Sequence, residues 1–153
     1  MSDAASPFTN ILVPTDFSEA SVAALRLAVR MARPNGARIT LMHIGVVPHV
    51  YATEWGMSGH TGPLFHQLAE EVNAEQRRRL EELARAEVPE GMSVVTLIRE
   101  GFAPEEVNAQ VADGGHDLVI MGTHGRTGLR RALLGSVTER VVRECTVPVM
   151  VTH

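Results

Sequence analysis

The stretch DLVIMGTHGRTGLRRALLGSVT, residues 117–138, carries the strongest structural signal in the chain. Its residues Leu118 to Met121 form a short, wholly apolar run, which is typical of a central strand buried on both faces of a parallel sheet. Gly122 ends the run and opens a glycine-containing segment. The stretch therefore predicts a strand followed by a loop in which the backbone can approach a ligand closely.

The end of the same stretch predicts the start of a helix. Ser136 stands three residues before Glu139, which is the spacing of a capping box, so a helix is expected from Ser136 to about Cys145. In that arrangement the free N–H groups of Gly135, Ser136 and Val137 point out of the helix start, with the helix dipole behind them. Such a start favours anions, so we expect a phosphate site here.

Charge supports the same interpretation. Residues 122–145 contain five arginines and two glutamates, a local net charge of +3 in a chain whose net charge is −4. This concentration of positive charge beside the expected anion site favours a polyphosphate ligand. On spacing alone an alternative stays open, in which the glycines only form a tight loop and the arginines only face solvent.

The glycine pattern resembles that of the universal stress protein family. The ATP-binding members carry G-x2-G-x9-G-(S/T) after the fourth strand, and here the pattern is Gly122-x2-Gly125-x9-Gly135-Ser136. The resemblance extends to ILVPTDFS at 11–18, LMHI at 41–44 and VPVMV at 147–151. It implies ATP as the ligand, bound by this set of residues: Pro14, Thr15, Asp16, Ile44, Met121, Gly122, Thr123, Gly125, Arg126, Gly135, Ser136, Val137 and Thr138.

Strands and helices alternate along the whole chain. Strands are expected at 10–14, 38–44, 93–99, 118–121 and 147–152, and helices at about 19–33, 63–86, 104–112 and 136–145. This alternation predicts an α/β fold in one domain of 153 residues: an open, doubly wound, Rossmann-like parallel sheet with helices on both faces. The family resemblance supplies the strand order 3-2-1-4-5 and likeness to the adenine nucleotide alpha hydrolase fold.

Two side chains next to strand ends need a choice between a structural and a binding role. Asp16 follows the first strand at the edge where open α/β sheets bind ligands, but an aspartate there also suits a plain helix cap. The family resemblance favours contact with the nucleoside and places the Ile44 backbone against adenine. His43 is expected to be a packed residue and is assigned no metal.

Two further segments are interpreted from composition. Residues 46–62 form a long irregular segment with Tyr51 and Trp55, predicted to be a loop that covers the nucleotide or contacts a partner. The arginines at 77–79 have glutamates at ion-pairing spacings, so they predict a solvated helix face. Cys145, the only cysteine, excludes an internal disulfide and is expected to pack as a small apolar residue.

Composition limits the remaining possibilities. The chain is 44% hydrophobic and 21% charged, its N-terminus lacks the pattern of a secretory signal, and no apolar run is long enough to span a bilayer. We therefore expect a cytoplasmic protein that binds neither membranes nor nucleic acid.

Three functions fit these observations. The favoured one is an ATP-binding regulatory protein of the stress response whose nucleotide state alters a partner interaction. The alternatives are a slow ATPase, with Mg or Mn held through the phosphates, and a nucleotide-independent dimeric interaction module. Asp16 and His124 are the candidate groups for orienting water, and neither has a recognisable partner, so turnover above about one per second is not expected.

The last strand, Val147 to Thr152, predicts an interface. In the order 3-2-1-4-5 it lies at the sheet edge, it is apolar, and it contains one proline near its start. Two copies of such an edge can pair about a two-fold axis. The family resemblance also favours a homodimer joined through this strand.

Overall fold

The computed structural model describes residues 7–45, 63–123 and 134–153. In these residues five parallel strands form one sheet in the order β3-β2-β1-β4-β5, which confirms the predicted fold class and strand order. The elements along the chain are β1 (Asn10–Pro14), α1 (Glu19–Ala32), β2 (Arg38–Gly45), α2 (Pro63–Glu87), β3 (Val94–Glu100), α3 (Ala103–Gly114), β4 (Leu118–Gly122), α4 (Ser136–Glu144) and β5 (Val149–Thr152).

Alternating strand residues divide the core into two layers. Ile11 and Val13 of β1 pack with α1 and α2 on one face of the sheet. Leu12, between them, packs with Val107 of α3 and Val141 of α4 on the other face. Because successive side chains of a strand point to opposite faces, the apolar runs of β1 and β4 serve both layers at once.

The strand order places a switch point between β1 and β4. From β1 the chain continues to β2 on one side, and it later returns to pair β4 with the other side of β1. Connections that leave in opposite directions open a crevice at the carboxyl ends of these two strands. The end of β4 and the turn after β1 therefore meet at one edge.

At the amino ends of β1 and β4, opposite the crevice, Asp117 joins the two strands. Its carboxylate accepts bonds from the Thr9 N–H and hydroxyl, both at 2.8 Å, and from the Asn10 N–H at 3.0 Å. Burial opposes ionisation of this carboxyl group, but the donors outweigh it and lower the pKa of Asp117. The start of β4 is thus fixed against the start of β1, which sets the register of the two strands that flank the crevice.

The observed elements differ from the predicted ones mainly at their ends. The last strand begins at Val149 rather than Val147, because Pro148 has no N–H to donate, although its carbonyl still accepts from the Val119 N–H at 3.0 Å. Residues 46–62, predicted to be a loop over the nucleotide, lie outside the described residues. None of the helices in the described ranges has the length and apolar character needed to cross a membrane.

Candidate functional site

A cavity of about 370 Å³ lies at the carboxyl edge of the sheet, at the switch point between β1 and β4. Its walls come from the ends of β1, β2 and β4, from the turn after β1 with the start of α1, and from the N-terminal parts of α3 and α4. This volume is within the range of small-molecule sites in proteins. The cavity brings together ten of the predicted residues: Pro14, Thr15, Asp16, Ile44, Met121, Gly122, Gly135, Ser136, Val137 and Thr138.

The other predicted residues do not line the cavity or cannot be placed. Thr123 is buried beside it, where its carbonyl accepts the Gly135 N–H at 2.7 Å, so it shapes the site without facing it. Gly125 and Arg126 lie outside the described residues, as does His124.

Five lining residues were not predicted: Ser21, Met42, His43, Ala103 and Val107. Met42 and His43 precede Ile44 in β2, so the family resemblance pointed to their strand but not to their side chains. Ala103 and Val107 lie one helical turn apart, with Pro104 at the helix start, and that pattern predicts only an inward-facing helix. Their approach to the crevice depends on the crossover from β3, which no local pattern encodes.

The start of α4 differs from the predicted capping box. The N-cap is Gly135, with no side-chain cap, and Ser136 is already the first helical residue. The Glu139 N–H donates to the Gly135 carbonyl at 2.9 Å, as in an ordinary first turn. The capping-box prediction is therefore wrong, because the N-cap lies one residue earlier, and Ser136 lines the cavity without capping the helix.

The phosphate donors predicted at this helix start also need correction. The Gly135 N–H is taken by the Thr123 carbonyl. The N–H groups of Ser136 and Val137 belong to the first turn, where helical geometry provides no acceptor. Thr138 donates its hydroxyl hydrogen to the Gly122 carbonyl at 2.8 Å, which ties the first turn to the end of β4. Of the three predicted amides, those of Ser136 and Val137 therefore have no acceptor within the helix, whereas that of Gly135 is already bonded.

The turn after β1 is ordered by hydroxyl groups. The Ser21 hydroxyl donates to the Ser18 carbonyl at 2.9 Å, so in the 2.9 Å contact between Thr15 and Ser21 the Thr15 hydroxyl must be the donor. The hydroxyl oxygen of Thr15 in turn accepts the Phe17 N–H at 3.0 Å. Because Thr15 and Ser21 are both buried, this network specifies one conformation of the turn.

Asp16 shapes the turn after β1 and lines the cavity. One carboxylate oxygen accepts the Ser18 N–H at 3.0 Å, as in an Asx turn, while the residue lines the cavity. The helix cap itself is Ser18, whose hydroxyl accepts the Ser21 N–H at 3.3 Å. Asp16 is therefore not the plain helix cap of the alternative interpretation, and it presents a carboxylate to the site.

Two of the five arginines in this region are paired with carboxylates. Arg140 pairs with Glu144 at 3.0 Å and with Glu105 of α3 at 3.5 Å, and Arg143 pairs with Glu139 at 3.7 Å. These two arginines are therefore balanced by carboxylates and do not form an excess of positive charge. The other three, at 126, 130 and 131, lie outside the described residues.

Gly122 has a different reason to be glycine from the predicted one. A Cβ atom at this position would lie 2.7 Å from the Ala20 carbonyl carbon and 2.8 Å from the Ala20 Cβ. The missing side chain therefore allows β4 to approach the first turn of α1. A bulky residue here is therefore expected to disturb the packing of β4 on α1 and not only a ligand contact.

The cavity has an apolar part and a polar part. Met42, Ile44, Val107 and Met121 supply apolar walls from two strands and a helix, while the start of α4 and Asp16 supply polar groups. A ligand with a flat apolar ring and an anionic group matches both parts. No cluster of three or more potential metal ligands occurs in the described residues.

Comparison with known proteins agrees with this architecture. The sequence model described as the universal stress protein family matches residues 7–153. The chain belongs to this family. A curated member, universal stress protein MJ0531 of Methanocaldococcus jannaschii, is 31% identical over 145 residues, which cover 94% of this chain and 81% of the relative.

Solved structures of other proteins show the same fold. Hypothetical protein MJ0577, also from Methanocaldococcus jannaschii, is 30% identical in sequence to this chain. Its structure matches over 94% of each chain with a TM-score of 0.78. Two further structures are 19% identical and match 95% of this chain. One is a universal stress protein in complex with cAMP, matched over 97% of its length with a TM-score of 0.62. The other is the universal stress protein from Archaeoglobus fulgidus in complex with dAMP, matched over 98% of its length with a TM-score of 0.60. At that identity they bear on the fold alone.

Proposed function

We propose that this universal stress protein binds an adenine nucleotide in the cavity between β1 and β4, and that the physiological ligand is ATP. The observation that carries the proposal is the convergence of ten predicted residues from separate parts of the sequence on one cavity. The base packs against the apolar walls, Asp16 meets the ribose, and the phosphates lie at the start of α4. Nucleotide occupancy then regulates the contact with a partner in the cytoplasm.

Two observations support this ligand class. The cavity pairs apolar walls with helix-start amides, which is the donor set that a nucleoside phosphate requires. Two proteins of the same fold are described in complex with cAMP and with dAMP, both adenine nucleotides. The proposal of ATP over the other adenine nucleotides rests on the glycine pattern. Any Mg or Mn ion would be held through the phosphates.

A change at Ala103 tests the proposal. Ala103 lines the cavity from the first position of α3, and leucine is a good helix former, so Ala103→Leu fills the cavity without breaking the helix. We expect its affinity for ATP and AMP, measured by calorimetric titration, to fall by at least about tenfold, because the added methylenes occupy ligand space.

Ala112→Leu is the matched control. Ala112 is exposed near the other end of the same helix and does not line the cavity, so its variant should bind like the wild type. If the wild-type protein shows neither heat nor a thermal shift with millimolar adenine nucleotide, the proposed function is wrong. Equal losses in both variants would show that the cavity is not the site.

We also propose that two copies pair through the exposed edge of β5. This strand is at the end of the sheet, and Met150 within it is 39% exposed. The Pro148 and Thr152 carbonyls face β4, so the alternate residues Val149 and Val151 direct their backbone groups outward. An edge of this kind pairs readily with a second copy about a two-fold axis.

Val151→Pro should convert the dimer to a monomer. Proline removes the outward N–H that edge pairing needs. The backbone groups of Met150 and Thr152, which bond to β4, are unchanged. Sedimentation equilibrium at micromolar concentration should give about twice 16.6 kDa for the wild type and for Val151→Thr, and 16.6 kDa for Val151→Pro. A wild-type mass of 16.6 kDa would reject the dimer.

A further inference from the structure

Phe17 has an unusual backbone conformation next to the cavity. It is the one non-glycine residue in the described ranges with positive φ, at 65°. A bulky side chain disfavours this left-handed region, and such a residue persists only where its surroundings over-determine it. The conformation turns the chain sharply between Asp16, which lines the cavity, and Ser18, which caps α1.

Two side chains from other elements hold the Phe17 ring. The His43 imidazole of β2 has its centroid 4.6 Å from that of the Phe17 ring, with the planes tilted by 42°. The Arg79 guanidinium of α2 lies over the same ring, with its central carbon 4.5 Å from the centroid. Ring stacking and a cation–π contact therefore both act on one aromatic side chain.

His43 contacts the chain on both sides of Asp16. Its Nδ1 lies 2.8 Å from the Thr15 carbonyl oxygen, and because a carbonyl only accepts, Nδ1 must carry the hydrogen. The same imidazole stacks on Phe17. Asp16 therefore lies between Thr15, which is hydrogen-bonded to His43, and Phe17, which is stacked on His43. His43 itself lines the cavity.

We propose that Phe17 is a positioning residue for the nucleotide: its ring, held by His43 and Arg79, keeps the turn in the shape that presents Asp16 to the ligand. The arginines at 77–79 consequently divide in role. Arg78 pairs with Glu75 and Glu82, each at 2.6 Å, as predicted for a solvated face. Arg79 is also exposed, but its guanidinium contacts Phe17 as well, so it connects α2 to the turn after β1.

This inference rests on the proposed nucleotide site, and adenosine is the suitable probe because it lacks phosphates. Phe17→Leu removes the ring but keeps an apolar side chain, so the turn loses its restraint and must be ordered again on binding. We expect the adenosine affinity to fall about tenfold for Phe17→Leu, and to stay within about twofold of wild type for Phe17→Tyr, which keeps the ring.

Arg79→Ala provides a variant that leaves the core untouched, because the Arg79 side chain is exposed. We expect about a threefold loss of adenosine affinity, as for an exposed cation–π contact. Arg77→Ala, two residues away on the same helix and also exposed, is the matched control and should bind as the wild type does.

A double-mutant cycle with Asp16→Asn separates positioning from general packing. The asparagine oxygen can still accept the Ser18 N–H but carries no charge. If Phe17 acts through Asp16, the effect of Phe17→Leu should shrink to within about twofold in the Asp16→Asn background. Unchanged binding by Phe17→Leu, or a tenfold loss that persists in that background, would overturn the inference.

Amide hydrogen exchange on the ligand-free protein tests the turn by itself. In Phe17→Leu the Phe17 and Ser18 amides should exchange about tenfold faster while the amides of β1 and β4 keep their rates. Equal exchange in wild type and variant would show that the ring does not hold the turn. A wild type that binds no adenosine or nucleotide, but whose turn loosens in the variant, would refute the proposed function and leave the positioning of Asp16 by Phe17 standing.

Discussion

Gly122→Ala is expected to lower the free energy of unfolding by about 3 kcal/mol, since a Cβ at this position overpacks a rigid contact. The added atom would lie 2.7 Å from the Ala20 carbonyl carbon and 2.9 Å from the Ala20 carbonyl oxygen. These are backbone atoms of α1, which cannot rotate away as a flexible side chain can. Either α1 or the end of β4 must move, and urea unfolding monitored by circular dichroism would measure the cost.

Two further variants define the origin of that loss. Gly36→Ala places a Cβ in open space at a φ of 68°, so it should cost only the left-handed strain of about 1 kcal/mol. Ala20→Gly in the Gly122→Ala background removes the 2.8 Å contact between the two Cβ atoms but leaves the backbone contacts, so it should restore stability only in part. A Gly122→Ala protein as stable as the wild type would show that α1 can yield at this point.

The contrast between Gly122 and the cavity shows how far the sequence predicts the site. The glycine spacing indicated the edge of the sheet where the cavity lies, because Gly122 and Gly135 both line it. It did not reveal that the side of Gly122 where a Cβ would stand faces α1. A glycine pattern records where side chains are excluded, and what excludes them, a ligand or a neighbouring helix, depends on packing between distant segments.

The fold was more predictable than the site because its signals are local. The apolar runs of β1 and β4 and the amphipathic helices follow from periodicity, while the strand order came from the family resemblance. Phe17 illustrates the opposite case. Its positive φ and its contacts with His43 and Arg79 join three elements that are separated in the chain, and neither its residue type nor its neighbours in sequence indicate a left-handed conformation.

Ser136→Asp is expected to remove ATP binding while leaving the fold intact. Ser136 is exposed in the first turn of α4, where a carboxylate interacts favourably with the helix dipole and typically adds about 0.5 kcal/mol to stability. The same carboxylate would stand beside the proposed phosphates, and repulsion from several negative charges at short range should weaken ATP binding by at least about 100-fold. Calorimetric titration and thermal unfolding measure the two effects separately.

The response should depend on the number of phosphates. Ser136→Asn has the same size without the charge, so it should bind ATP within a few-fold of wild type, about the loss of one hydrogen bond. In Ser136→Asp the loss should be greatest for ATP, smaller for AMP and within about twofold for adenosine, because only charged ligands are repelled. Added salt should reduce the loss for ATP. An equal loss for ATP and adenosine would mean that the side chain obstructs the cavity. Unchanged ATP binding would place the phosphates away from the start of α4 and refute the proposed orientation of the nucleotide.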